Sequence, residues 1–174
     1  MMDIAAHIRD VPDFPKKGIV FKDITPLLAC PDAMKETADA LAAIFRDRRI
    51  DRVAGVEARG WIFGSLVAER LGAGFIPIRK PGKLPYKKIS RTYGLEYGTN
   101  TIEVHTDAVK AGQQVLMIDD LLATGGTMAA ACDLVKELGA EVVACAFVIE
   151  LCFLPGREVL KDYEIHTLFQ VKDE

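Results

Sequence analysis

Two hydrophobic patterns alternate along the chain. Short apolar runs, of the kind that buried parallel strands require, are separated by segments in which apolar residues recur every three or four positions, as on one face of a helix. The predicted strands are 53–56, 75–78, 115–118, 142–149 and 165–169, together with 101–105, where apolar and polar residues alternate. The predicted helices are a short one with Ile4, Ile8 and Val11 on one face, one that begins at Pro31, then 61–71, 128–138 and a turn at 154–157.

Strands that alternate with helices predict an α/β fold with a mostly parallel central sheet flanked by helices. Such sheets bind ligands at the carboxyl ends of their strands. The length of 174 residues fits one domain, and half of the residues are hydrophobic, as in a globular protein. No linker, internal repeat or low-complexity tract interrupts the pattern. We therefore expect a single domain over residues 1–174.

Composition and charge argue against several classes of protein. The net charge of −3 gives no general attraction to nucleic acid. No apolar run reaches the roughly 20 residues of a membrane span, and the first residues show no signal-peptide pattern. The four cysteines lack the C-x-x-C spacing of zinc sites. These features predict a cytoplasmic protein that binds neither nucleic acid nor a membrane.

The stretch that follows the strand at 115–118 is typical of an anion-binding loop. Small residues lead directly into the helix predicted from Met128 onwards. Backbone N–H groups at a helix start have no partners within the helix, and the helix dipole places partial positive charge there. Glycines let an anion approach the backbone closely, and threonine hydroxyls add donors. The predicted phosphate-binding residues are Ala123, Thr124, Gly125, Gly126 and Thr127, with Thr127 as the expected N-cap.

Asp119 and Asp120 lie where this strand is expected to end, just before the loop. Because carboxylates would repel a phosphate, they should face vicinal hydroxyls or a magnesium ion bound by several phosphate oxygens. A phosphate on one side and hydroxyls or metal on the other describe a phosphorylated sugar. The loop lacks the Gly-Lys-Ser/Thr of a Walker A motif, and no G-x-G-x-x-G occurs in the sequence.

A second strand-to-helix junction carries Glu57, Ala58, Arg59 and Gly60. Free amides and an arginine at one point would suit a second phosphate or a pyrophosphate. Taken alone, the pattern is equally typical of a structural turn, because arginine and glycine are common after strands.

Residues 79–99 show neither a helical nor a strand period. A loop of this length in a compact domain is either functional or a misassigned element. Its basic residues favour a lid over a polyanion rather than a solvated basic loop, because no acidic residue occurs among them before Glu96. They are Arg79, Lys80, Lys83, Lys87, Lys88 and Arg91.

Several blocks of sequence are together similar to the type I phosphoribosyltransferase family, and most of all to its adenine-using members. They are DDLLATGGTM at 119–128, EARG at 57–60, RKPGKLP at 79–85, YGLEYG at 93–98 and PDFPKKGIVFKDITPLL at 12–28. The resemblance runs over essentially the whole sequence. It implies the type I phosphoribosyltransferase fold, with an N-terminal hood at about 1–30 and a flexible lid loop at about 79–99.

The resemblance implies transfer of the 5-phosphoribosyl group from 5-phosphoribosyl 1-pyrophosphate to adenine, which forms AMP and pyrophosphate in purine salvage. Magnesium is the implied cofactor, held mainly by substrate and water, and a homodimer is the implied assembly. By this resemblance Asp119 and Asp120 bind the ribose hydroxyls, and residues 57–60 bind the pyrophosphate. Lys83 reaches the pyrophosphate when the lid closes, and Arg79 serves the neighbouring subunit's site.

The remaining implied roles concern the base. Glu96 would approach the purine and help to remove its proton, so the predicted catalytic residues are Glu96, Arg59 and Lys83. Val20 and Phe21 would bracket the base, and Leu151 would close its other face. The predicted adenine-binding residues are Val20, Phe21, Lys22 and Leu151. Two departures from the family pattern are Trp61, where phenylalanine is commoner, and Gly94, where an acidic residue is commoner.

Two other functions fit the same motifs. One is an enzyme of this fold that uses hypoxanthine, guanine or xanthine. The other is a non-enzymatic regulator that keeps the phosphoribosyl pyrophosphate site as a sensor, although such regulators carry an added DNA-binding segment that this sequence does not show. Formation of AMP from both substrates would separate an adenine-using enzyme from a pure sensor.

Overall fold

The computed structural model describes residues 3–94 and 98–173. Strands and helices alternate through most of the protein. In sequence order the elements are a 3₁₀ helix at Ile4–His7, β1 (Arg9–Pro12), β2 (Val20–Asp23), α1 (Thr25–Ala29), α2 (Pro31–Ile44), β3 (Arg52–Val56), α3 (Arg59–Leu71), β4 (Gly74–Ile78), β5 (Lys88–Gly94), β6 (Thr99–His105), β7 (Gln114–Leu122), α4 (Gly126–Glu137), β8 (Glu141–Leu151), α5 (Gly156–Val159) and β9 (Ile165–Val171).

Five parallel strands form the central sheet, in the order β4-β3-β7-β8-β9. β3 and β7 are neighbours in the sheet. The strand that follows β3 lies on one side of this pair, whereas those that follow β7 lie on the other side, so the strand order reverses between β3 and β7. Ligands bind such sheets where the strand order reverses, outside the carboxyl ends of the strands. The crevice between β3 and β7 is therefore the expected position of a site. The predicted α/β fold with a mostly parallel central sheet is confirmed.

The hydrophobic core has two parts, one on each face of the central sheet. Val115 and Met117 of β7 belong to the cluster that contains α4, whereas Leu116 and Ile118 belong to the cluster that contains α2 and α3. Successive residues of a strand point to opposite faces, so a strand covered on both faces must be apolar throughout. This double cover explains the continuous apolar runs in the sequence.

The N-terminal segment differs from its prediction. The expected amphipathic helix with Ile4, Ile8 and Val11 on one face is wrong, because only Ile4–His7 is helical and Val11 lies in β1. β1 pairs with β2 as an antiparallel hairpin, which we call the hood hairpin. Residues 9–12 therefore pair with residues 20–23 as a strand, although the local spacing of apolar residues predicted a helix.

Residues 79–99 also differ, since they contain a strand. β5 pairs with β6 along its whole length, and its exposed and less exposed residues alternate. Ile89 and Tyr93 pack against the core beside α4, with Arg91 between them. Charged and hydroxyl residues on the outer face hid this alternation from the sequence analysis. Residues 95–97 at the end of the hairpin lie outside the described residues.

The starts of two helices can be compared with their predictions. α2 begins at Pro31 as predicted, and α3 begins at Arg59, two residues before the predicted start, so Arg59 and Gly60 lie in its first turn.

The four cysteines carry free thiols. Within the described parts of the protein, no helix is long and apolar enough to cross a membrane.

Candidate active site

A cavity of about 710 Å³, the large cavity, opens at the crevice between β3 and β7. It brings together residues from both predicted strand-to-helix junctions, which are about sixty positions apart in the sequence. Those that line it are Glu57, Ala58, Arg59, Asp119, Asp120 and Thr127.

Close packing at Gly60 joins the two halves of the large cavity. A Cβ atom at Gly60 would lie 2.7 Å from Asp119 Oδ1 and 2.9 Å from the Ile118 carbonyl oxygen. Real Cβ atoms do not approach so closely, so glycine is needed where α3 begins beside the end of β7. Gly55 contributes from β3, where a Cβ atom would lie 2.7 Å from the Gly60 oxygen.

Asp119 and Asp120 belong to β7 rather than following it, because pairing with β8 continues to Leu122. Arg59 Nε donates to Asp120 Oδ2 at 2.5 Å, so an arginine from α3 neutralises one carboxylate of β7. The same guanidinium lies 5.2 Å from the centre of the Phe21 ring. Arg59 thus links the hood hairpin, α3 and the aspartates.

The other aspartate is in a different electrostatic setting. Burial and the neighbouring Asp120 carboxylate raise the pKa of Asp119 well above its ordinary value. Asp119 lines both the large cavity and a smaller one beneath the loop at 123–127. A carboxyl group in this position is suited to hydroxyl donors or to a nearby cation, either of which would stabilise its charge.

The loop at 123–127, which we call the phosphate loop, encloses a small cavity of about 90 Å³ with residues on either side of it. Gly125 is the N-cap of α4, with φ 81°, so the predicted N-cap at Thr127 is wrong. A Cβ atom at Gly125 would lie 2.9 Å from the Gly156 oxygen, which shows that α5 fixes this turn from behind. Gly126, the first residue of α4, follows directly and adds no side chain beside the amides that lack partners within the helix.

Sequence analysis missed Tyr93 as a site residue. Its hydroxyl group forms a hydrogen bond of 2.9 Å with Thr127 Oγ1, so β5 reaches across to the phosphate loop. Lys80, Pro81 and Asn100 also line the large cavity. The signal for Tyr93 was its place on the inward face of an alternating strand, inside the YGLEYG motif.

Glu57 fixes the start of the lid segment. Its carboxylate accepts hydrogen bonds from Arg79 Nε at 3.1 Å and from the Lys80 amide at 3.2 Å. Burial raises the pKa of Glu57, but these two hydrogen bonds and the charge of Arg79 outweigh that effect and leave it below the ordinary value. The Arg79 guanidinium also lies 4.8 Å from the centre of the Trp61 ring. The Trp61 ring therefore makes a cation–π contact with Arg79. A phenylalanine ring could make the same kind of contact, but it lacks the indole N–H that donates to the Ile78 carbonyl oxygen.

Of the two predicted catalytic residues in the lid segment, Lys83 does not line the large cavity. Lys83 is exposed, and its carbonyl oxygen accepts a hydrogen bond from Arg79 Nη1 at 3.1 Å. Glu96 lies outside the described residues, so its role stays a prediction.

A second cavity, of about 290 Å³, lies between the hood hairpin and the end of β8. Val20, Lys22 and Leu151 line it, as does Thr124 of the phosphate loop. Phe21 points away, because its ring packs on Phe14 with a centroid distance of 5.2 Å and faces Arg59. Three of the four predicted base-binding residues thus surround one cavity, and Thr124 connects it to the phosphate loop.

Among the described residues, no group of three or more His, Cys, Asp or Glu side chains could hold a metal ion. The pair Asp119 and Asp120 nevertheless fits a cation held largely by other ligands. Burial and the Asp120 carboxylate raise the pKa of Asp119 despite the nearby charge of Arg59, and a cation beside the pair would stabilise the ionised form.

Known proteins are similar to this chain in sequence and in fold. The family model for the phosphoribosyl transferase domain matches residues 23–172. Adenine phosphoribosyltransferase of Syntrophotalea carbinolica is 58% identical over 170 residues, which cover 98% of this chain and 99% of the relative. The crystal structure of adenine phosphoribosyltransferase from Thermoanaerobacter pseudethanolicus superposes with a TM-score of 0.95 at 50% identity, covering 97% of this chain and 98% of that one.

A third relative was solved with ligands bound. The enzyme of Saccharomyces cerevisiae, in complex with adenine and D-2,5-dideoxy-2,5-imino-altritol 1,6-bisphosphate, has a TM-score of 0.90 at 39% identity and covers 95% of this chain and 96% of its own. Sequence and fold agree over nearly the full length in all of these comparisons. The chain belongs to the phosphoribosyltransferase family and, within it, to the adenine phosphoribosyltransferases.

Proposed function

We propose that this protein transfers the 5-phosphoribosyl group of 5-phosphoribosyl 1-pyrophosphate to adenine, forming AMP and pyrophosphate in purine salvage. The observation that carries the proposal is the order of three sites. The second cavity meets the phosphate loop at Thr124, and the small cavity of that loop shares Asp119 and Thr127 with the large cavity. A base, a 5′-phosphate and a pyrophosphate would lie in this order around one ribose.

The sugar phosphate would be held by β7 and α4. Free amides at the start of α4 and the hydroxyl groups of Thr124 and Thr127 would bind the 5′-phosphate. Asp119 and Asp120 would accept hydrogen bonds from the ribose hydroxyls. Tyr93 would have to release Thr127 or share it, because the two hydroxyl groups form a hydrogen bond with each other.

Arg59 is the residue best placed to act on the leaving group. The anomeric carbon gains positive charge as pyrophosphate departs, and negative charge grows on the pyrophosphate oxygens. Arg59 lines the large cavity at the start of α3, where it could turn from Asp120 to those oxygens. Lys80 shares this cavity, and Lys83 would join it on closure of the lid. Magnesium bound by the substrate would further neutralise the pyrophosphate charge.

The base would enter the second cavity beside Val20, Lys22 and Leu151. Backbone groups of β2 would read its edge, and Glu96 would help to remove its proton. Phe21 lies on the opposite face of β2, where its ring would help to position the Arg59 guanidinium. The free thiols of the four cysteines support a reducing compartment, and we propose the cytoplasm as the place of action. We further propose a homodimer in which Arg79 approaches the neighbouring site.

The decisive test is turnover. Incubation with adenine, phosphoribosyl pyrophosphate and magnesium should yield AMP and pyrophosphate in equal amounts. Tight binding of phosphoribosyl pyrophosphate without any AMP would instead identify a sensor.

The lid gives a prediction about hydrogen exchange. Amides of 80–87 should exchange faster than those of β5, because β5 is paired with β6 along its length. Binding of phosphoribosyl pyrophosphate should slow exchange in 80–87 and leave β5 unchanged. Mass spectrometry of both states measures this. Equal and strong protection of 80–87 in both states would mean a rigid element and would remove the lid from the mechanism.

Asp119 gives a prediction about pH. Its folded pKa lies above its unfolded value of 3.8, so the folded protein loses stability as pH rises from about 3.8 to the folded pKa, and the loss persists above it. Asp119→Asn cannot ionise and should have a higher Tm than the parent at pH 7, with a difference that shrinks towards pH 3. The same variant should bind phosphoribosyl pyrophosphate more weakly.

Asp120→Asn is the matched control for this measurement. It relieves the same repulsion between the two carboxylates but also breaks the ion pair with Arg59, so its Tm should rise less than that of Asp119→Asn, or fall. A drop in Tm for Asp119→Asn at pH 7, or a difference from the parent that does not change with pH, would contradict the electrostatic account.

A further inference from the structure

Asp10 and Lys22 form an ion pair in the hood hairpin. They are direct partners in the register of β1 and β2, and Lys22 Nζ lies 2.7 Å from Asp10 Oδ1. The Lys22 side chain is only 13% exposed, whereas that of Asp10 is 59% exposed. The lysine is therefore mostly covered by protein, and its charge is held by a carboxylate on the neighbouring strand.

This pair lies on the face of the hairpin that borders the second cavity. Val20 and Lys22 both line that cavity, while Phe21 between them faces Arg59, as the alternation of a strand requires. Directly opposed residues of an antiparallel pair lie on the same face. Asp10 is therefore on the side of the base and not on the side of Arg59.

The ammonium group has a clear chemical preference between purines. A 6-oxopurine such as hypoxanthine or guanine presents an O6 acceptor, to which an ammonium would donate a charge-assisted hydrogen bond. Adenine presents an amino group at the same position, which is itself a donor. Among the described residues that line the second cavity, Lys22 is the only cation. A free Lys22 would thus favour the wrong class of base.

We propose that Asp10 is a specificity-determining residue that acts through Lys22. By holding the ammonium on the hood hairpin, Asp10 withholds from the cavity the donor that would pair with a purine 6-oxo group. This inference rests on the proposed function, since it takes the second cavity as the base site. A merely structural ion pair predicts a different result, because loss of a partly exposed pair would change stability slightly and leave the choice of base unaltered.

The experiment measures kcat/KM for adenine, hypoxanthine and guanine in Asp10→Asn, together with the inhibition constants of the 6-oxopurines against adenine. The constants report base binding even where hypoxanthine turnover is too slow to follow. We expect kcat/KM for the 6-oxopurines to rise, or their inhibition constants to fall, about tenfold or more, with adenine within about threefold of the parent. Unchanged ratios between the bases, in this variant and in its combination with Asp173→Asn, would overturn the proposal.

Three further variants make the result specific. Asp10→Asn combined with Lys22→Met should return the base ratio to that of the parent, because the released ammonium is gone. Asp173 also lines the cavity and could bind the released ammonium, which would mask a change in the base ratio. Asp10→Asn combined with Asp173→Asn removes this second carboxylate. Arg9→Gln breaks another cross-strand ion pair of the same hairpin, with Asp23 at 3.7 Å, and should leave the ratio unchanged.

The outcomes separate this inference from the proposed function. Absence of AMP formation by the parent protein would refute the proposed function itself. Normal AMP formation with unchanged base ratios in both Asp10→Asn and its combination with Asp173→Asn would refute only the role of Asp10. Raised 6-oxopurine use that persists in the variant combined with Lys22→Met would assign the effect to the hairpin instead of to the ammonium, and would also overturn the proposal.

Discussion

Replacing Gly126 with valine should lower the affinity for phosphoribosyl pyrophosphate by about a hundredfold or more while the protein remains folded. Gly126 is the first residue of α4, where the amides have no partners within the helix, and its neighbours Gly125 and Thr127 line the small cavity of the phosphate loop. A branched side chain at this point would keep the 5′-phosphate away from the backbone. Loss of two hydrogen bonds to a charged group, at about 1.5–3 kcal/mol each, accounts for an effect of this size.

The fold should tolerate the change because there is room for a side chain at Gly126. The nearest atoms to a Cβ there are the Gly94 oxygen and Tyr93 Cδ2, both at 3.7 Å, which is ordinary van der Waals contact. Valine at the first turn of a helix costs only a few tenths of a kcal/mol in propensity. Calorimetric titration of the variant, with its melting curve recorded beside that of the parent, measures both effects.

Gly125→Ala is the contrasting variant. Gly125 has φ 81°, and a Cβ atom would come within 2.9 Å of the Gly156 oxygen, so alanine should lower the Tm and distort the loop itself. Near-parental affinity in a folded Gly126→Val protein would show that the phosphate binds elsewhere.

Most of the central sheet could be predicted because four of its five strands, all but β9, contain a contiguous apolar run. β7 and β8 are covered on both faces, so neither strand alternates with polar residues in its interior, and the runs are visible in the sequence itself. Pro31 marked the start of α2 for an equally local reason, since proline suits the first turn of a helix. The approach of the two junctions in space also followed, because parallel strands end on the same edge.

The elements that were missed depend on contacts distant in sequence. β5 is half exposed, and its inward residues Ile89 and Tyr93 are separated by Arg91, so its pattern resembles that of a basic loop. The N-cap at Gly125 is set by α5, about thirty residues further along the sequence, and no local preference for threonine could reveal this.

The base site shows a third limit of sequence reasoning. Val20 and Phe21 were both expected to touch the base, but neighbours in a strand point to opposite faces, and only Val20 lines the second cavity. The prediction of a strand at 20–23 would have been enough to divide their roles, because the alternation follows from the backbone alone.

Adenine should be preferred over hypoxanthine and guanine by roughly 10⁴-fold in kcat/KM, the discrimination that sites built on polar recognition achieve. Adenine offers an N6 donor beside an N1 acceptor, whereas the 6-oxopurines offer an O6 acceptor beside an N1–H donor. A backbone carbonyl and a backbone N–H of β2 can match only one of these patterns. The register of the hood hairpin fixes those groups, since β2 is paired with β1 from Val20 to Asp23.

The mismatch is costly because the second cavity is largely apolar. Ile19, Val20, Leu151 and Phe153 all line it, and a bound base would displace water from them, so a wrong base would leave donors facing donors. Each unpaired buried group costs about 1–3 kcal/mol. The residue that could rescue a 6-oxo group is Lys22, and its ammonium is bound to Asp10 at 2.7 Å. The measurement is kcat/KM for the three bases at saturating phosphoribosyl pyrophosphate and magnesium. Hypoxanthine or guanine within tenfold of adenine would mean that β2 does not read the base edge in this way, and a 6-oxopurine enzyme would become the better description of the site.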